Sequence, residues 1–137
     1  MIIRRVSCKL TFWSRDLTTA QMSTIAGLSP DGSAERNMAH WGTRVERDSA
    51  FWELVSRSAR NASMDVHIND LFTRIHESWD GLVALRNRVD DCEMQVAVFS
   101  NIASGDSLGF HLELDQVAML AALRAEADFE SYVEDDN

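Results

Sequence analysis

The sequence predicts an α+β domain, a mainly antiparallel sheet of four or five strands with helices packed on one face. Three observations predict it. Several short runs alternate apolar and polar residues, segments with helical spacing and end signals lie between them, and no repeat or composition shift divides the 137 residues. The chain is therefore read as one domain over 1–137, with an acidic tail at about 134–137 that should fray.

Residues 4–14 place Val6, Cys8, Leu10 and Phe12 on one face and Arg5, Ser7, Lys9, Thr11 and Trp13 on the other, the pattern of a half-buried strand. Thr18 then offers an N-cap, Gln21 its capping-box partner and Leu17 with Met22 a staple, so a helix is expected over 19–26. Gly27 can take the left-handed conformation that ends it, and Pro30 blocks its continuation. From Ser29 to about Arg44 small, polar and charged residues predict a long loop.

Phe51–Ser56 reads as a second strand, with Trp52 and Leu54 opposite Phe51 and Val55. Ile68, Leu71, Phe72, Ile75 and Trp79 recur at helical spacing and predict a helix with Trp79 in the core. Asp80-Gly81 interrupts it, and Leu82, Val83 and Leu85 suggest one further turn. Cys92, Met94, Val96 and Val98 give a third strand, Gly105-Asp106 a hairpin-like connection, and Leu108, Phe110, Leu112 and Leu114 a fourth strand. Asp115 is expected to cap a last helix carrying Val117, Leu120, Ala121 and Leu123. Residues 127–133 fit a fifth strand or a continued helix.

The formal net charge of −9 sets up a field that repels phosphate backbones and anionic lipid heads, so neither nucleic acid nor a membrane is an expected partner. A basic protein is attracted by the same field, which also favours solubility. The N-terminus lacks the apolar run of a signal peptide and no segment has the length of a membrane span, so a cytoplasmic location is expected. Cys8 and Cys92 both fall in apparent strands and read as small buried hydrophobes, reduced rather than bridged.

The first strand, the Thr18–Pro30 helix and turn ending Gly27-Leu28-Ser29-Pro30, the strand Phe51-Trp52-Glu53-Leu54-Val55-Ser56, the helix around Leu71-Phe72 and the ending near Tyr132 together resemble a bacterial family of unknown function, number 4279. The resemblance spans almost the whole chain. It implies a small bacterial domain and carries no catalytic residues.

His40, His67, His76 and His111 lack the three- or four-residue spacing that sets two ligands on one helix face, so no metal is expected; His67 and Asp70 form only a His-x-x-Asp pair. Neither cysteine sits at a helix N-terminus, and a nucleophile elbow and a glycine-rich phosphate loop are both missing, so no cofactor is expected. His111 and Glu113 would share the outward face of the fourth strand, where a small polar site is conceivable. Trp13 on a polar strand face and Trp41 in the long loop are aromatics of the kind enriched at interface hot spots.

These signals lead to a non-enzymatic binding protein that neutralises a basic protein partner, with Trp13, Trp41, His111 and Glu113 as candidate binding residues. One alternative is a small enzyme using His111, Glu113 and His40; another is a structural homo-oligomer joined through an uncovered sheet face.

Overall fold

The structure, a computed structural model, describes residues 4–36, 48–100 and 111–133. Its axis is β1 (Arg4–Ser14), whose strict alternation sends Cys8, Leu10 and Phe12 to zero exposure on one face. The helix α1 (Thr19–Ala26) follows, capped as expected: Gln21 N donates to Thr18 Oγ1 at 3.1 Å and Thr18 N to Gln21 Oε1 at 2.9 Å. Gly27 ends it at φ 73°, the left-handed conformation glycine adopts without strain.

The sheet continues with β2 (Gly32–Ala34), β3 (Ala50–Val55), β4 (Asp91–Ser100) and β5 (Glu126–Val133), in the order β2-β3-β1-β4-β5. Three pairings are antiparallel and β4–β5 is parallel, so the sheet is mixed but mostly antiparallel. Between β3 and β4 stand α2 (Met64–Glu77) and α3 (Trp79–Arg86), and α4 (Leu114–Ala122) lies on the crossover that parallel strands require. Met22, Ile68, Leu71, Ile75, Leu82 and Leu120 from these helices join Leu10, Phe12, Trp52, Leu54 and Met94 in one buried cluster. Trp52 meets Phe12 edge-on at 5.8 Å, and its indole N–H donates to Ser23 Oγ on α1 at 3.0 Å.

Several sequence expectations are corrected. The expected loop from Ser29 contains β2, which exists because Ser33 and its neighbours pair with Phe51–Glu53 rather than through any apolar pattern of their own. Trp79 starts α3 and is only partly buried, because the helix breaks at Ser78, not at Gly81. Gly81 lies inside α3 where α1 crosses closely: a Cβ there would sit 1.9 Å from the Ala26 carbonyl oxygen. Residues 111–113 form no strand and Leu114 opens α4, so the described part of the expected fourth strand is the lead-in to a helix. The alternation there ends in a cap at Glu113, whose N–H donates to Gln116 Oε1 at 2.9 Å; Asp115 lies in the first turn instead. Of the two readings left open for residues 127–133, the strand is the one adopted. The Gly105-Asp106 connection, the 108–110 half of that strand and the tail lie outside the described residues.

The two cysteines are free and buried. Their strands are neighbours, but Cys8 stands opposite Val96 and Cys92 opposite Phe12. Four residues of stagger amount to about 13 Å along a strand, well past the reach of a disulfide. Burial pushes both thiols up to about 12.

Candidate functional site

Because the described helices all pack against the apolar face, the opposite face of the sheet presents the other half of each alternation. From β1 it shows Lys9, Thr11 and Trp13; from β3, Phe51 and Glu53; from β4, Glu93, Gln95 and Phe99; from β5, Glu126, Asp128, Glu130 and Tyr132. Register sets the contacts. Trp13 stands between Phe51 and Asp91, and Glu93 between Thr11 and Glu126. A hollow of about 280 Å3 opens here, lined by Trp13, Phe51, Glu53 and Glu93 among others.

Electrostatics on this face are unbalanced. Lys9 Nζ lies 3.7 Å from Glu53 Oε2, which also accepts from Thr11 Oγ1 at 3.1 Å, so that carboxylate is served. Glu93 is not. Partial burial and the neighbouring charges of Asp128, Glu126 and Glu130 raise its pKa, and Lys9 only partly opposes them. At the outer edge Tyr132 donates its hydroxyl to Glu130 and stacks on Phe99 at 4.8 Å, and the Arg5 guanidinium lies 5.5 Å above the Phe99 ring.

A second feature occupies one end of the sheet, where β1 begins and β3 ends. His67 on α2 is buried, with Nδ1 2.6 Å from Ser56 Oγ and Nε2 2.9 Å from the Ala59 carbonyl oxygen. A carbonyl only accepts, so Nε2 carries the proton, and in the neutral ring Nδ1 accepts from Ser56. Ser56 Oγ in turn accepts from Cys8 N at 3.3 Å. A serine beside a histidine is the arrangement of a nucleophile and its base; in this pair the Ser56 hydroxyl also holds Cys8 N and the imidazole also holds the Ala59 carbonyl, so both side chains are engaged by backbone. Its effect is to lock the β3–α2 loop to β1. Asp70, three residues beyond His67, accepts from Arg57 N, while the imidazole nitrogens go to Ser56 and Ala59.

Of the residues singled out in the sequence, Trp13 stands on the open face as expected, half-buried at its hollow. His40 and Trp41 lie outside the described residues. His111 and Glu113 are not on a strand face: His111 N donates to Asp65 Oδ1 of α2 at 3.0 Å, and Glu113 is the cap of α4 beside a hollow between α2 and α4. The strand face they were expected to share is thereby corrected, since the start of α4 replaces the fourth strand there. Among the described residues no group of three or more His, Cys, Asp or Glu side chains is placed to hold a metal ion, and no helix is long and apolar enough to cross a membrane.

The acidic row was missed in the sequence because Glu93 and Asp128 meet only through the parallel β4–β5 register. A family model described as Domain of unknown function (DUF4279) matches residues 4–134, the span that holds every described strand and helix. The chain belongs to this family. No curated protein and no solved structure matches it.

Proposed function

We propose that this DUF4279 member is a non-enzymatic bacterial binding protein of the cytoplasm, and that its open sheet face takes up a basic protein partner. The observation that carries the reading is Glu93, held among Glu126, Asp128 and Glu130 with Lys9 as the opposing cation. Carboxylates gathered without matching cations cost stability in the free protein and recover it when a cationic surface docks. Trp13 and Phe51 beside them supply the apolar contact that a rim of charge lacks. With Trp41 outside the described residues, Trp13 is the anchor to test.

The experiment is co-purification of the protein with the products of its neighbouring genes, followed by surface plasmon resonance on any complex. Association slows as salt rises, because exposed charges are screened over about 8 Å at physiological ionic strength, and Trp13→Ala speeds dissociation. Glu93→Gln combined with Asp128→Asn lowers the on-rate. Association indifferent to salt and to all three substitutions would overturn the reading. A homo-oligomer is the competing outcome, detected as a dimer mass in native mass spectrometry; the carboxylates along β5 oppose it, because two such edges repel each other.

A further inference from the structure

The end of the sheet that holds Ser56 and His67 opens outward into a hollow of about 460 Å3 whose chemistry is the reverse of the acidic face. Arg5, Arg57 and Arg60 line it together with Ser7 and Ser58, while Val55 and Phe99 give it an apolar wall. Among the described residues that line it there is no carboxylate. Nearby, Asp31 binds Arg57 at 3.1 Å and also Arg74, and Asp70 accepts from Arg57 N. Asp31 and Asp70 thus hold Arg57 in place beside Arg60, a cationic cluster in a chain whose net charge is −9.

The loop that carries these arginines is fixed before any ligand arrives. Ser56 N donates to Cys8 O at 2.7 Å, Val6 N to Arg60 O at 2.8 Å, and His67 Nε2 to Ala59 O at 2.9 Å. Its backbone is fastened to β1 on one side and to α2 on the other, so little ordering entropy is lost on binding. The volume falls in the range of small-molecule sites, about 300 to 1,000 Å3, and guanidinium forks match the oxygens of a phosphate.

We infer that this hollow binds a small organic phosphate monoester, with the phosphate on Arg57 and Arg60 opposite Arg5 and the organic part against Val55 and Phe99. This binding is separate from the uptake of a basic partner and does not depend on it.

The test is an amide NMR titration of the full chain with phenyl phosphate, with inorganic phosphate and benzyl alcohol as comparators. Phenyl phosphate binds saturably and shifts the amides of residues 56–60; inorganic phosphate binds more weakly and benzyl alcohol does not bind. Arg60→Ala keeps the backbone carbonyl that Val6 uses and weakens phenyl phosphate about tenfold or more, the loss expected for a hydrogen bond to a charged group. Arg60→Lys recovers part of the loss by restoring charge without the fork, and gives a second reading should the alanine variant fold poorly. Arg88→Ala, at a different hollow, changes nothing. Absence of phenyl phosphate binding, equal affinity for inorganic phosphate, equal affinity for benzyl alcohol, or binding unchanged in both Arg60 variants would each overturn the inference.

Discussion

Replacing Glu93 by glutamine keeps the shape of the side chain and removes one charge from the open face, and it is expected to stabilise the protein. In the sheet Glu93 is flanked by Glu126 and shares its face with Asp128 and Glu130, while Lys9 is already engaged by Glu53. Like charges set across strands cost about 0.2 to 1 kcal/mol per pair, and solvent reduces this for exposed groups. Three repulsions less the pull of Lys9 leave a gain of about 0.5 to 1 kcal/mol. With an m-value of about 2 kcal/mol/M, the urea midpoint rises by about 0.25 to 0.5 M. The sign with pH is fixed by the raised pKa of Glu93. A raised folded-state value contributes stability below the unfolded carboxylate pKa of about 4.3 and loses it as pH rises through the folded value. The variant's advantage is therefore full near neutrality, vanishes in acid where Glu93 is itself neutral, and shrinks in high salt. Urea unfolding at neutral and acid pH, in low and high salt, measures all three. If Glu93→Gln lowers the midpoint at neutral pH, the carboxylate already has a cationic partner within the chain and the case for a basic docking partner fails.

Gly81→Ala adds a Cβ 1.9 Å from the Ala26 carbonyl oxygen, so α1 and α3 must part. It should cost about 1 to 3 kcal/mol although helix propensity alone favours alanine, and an unchanged melting temperature would contradict the close crossing. Asp31 has its carboxyl raised by burial but lowered further by hydrogen bonds from Arg74, Val55 N and Arg57, for a net shift downward. A depressed folded value gives stability that is present above the unfolded pKa and lost as pH falls through the folded one; Asp31→Asn should lose about 1 to 2 kcal/mol at neutral pH and show a flatter acid limb in thermal melts. Ser56→Ala strands Cys8 N and His67 Nδ1 and should cost about 1 to 3 kcal/mol; a chemical-denaturation midpoint matching the wild type would show that the pair does not latch the loop.

The elements that the sequence disclosed are those whose side chains state their own periodicity. β1, β3 and β4 alternate, α2 carries an apolar stripe, and α1 is framed by Thr18, Gln21 and Gly27. β2 could not be read, because Gly32-Ser33-Ala34 has no apolar face and is strand only by virtue of its partner. At 111–113 alternation was present in a segment that forms no strand; Glu113 and Gln116, an N-cap and its partner three residues on, were the signal for the helix. Trp13 was legible as an aromatic on a polar face. The acidic row and the arginine hollow were not, since each assembles residues from distant parts of the chain through strand register, and Ser56 and His67 meet at a spacing that belongs to no recurring motif.

The place of β1 at the centre of the sheet also bears on how the chain is made. Leu10 needs Leu54 on one side and Met94 on the other, yet it leaves the ribosome before either of them. At about 5 to 20 residues per second, its second neighbour follows roughly 4 to 17 s later. For that interval Cys8, Leu10 and Phe12 have no flanking strand on at least one side, and the segment is sticky in the sense that any extended apolar chain can pair with it. The parallel β4–β5 contact, closed last across α4, adds a slow non-local step at the end. The yield on expression should therefore respond to translation speed more than the equilibrium stability would suggest.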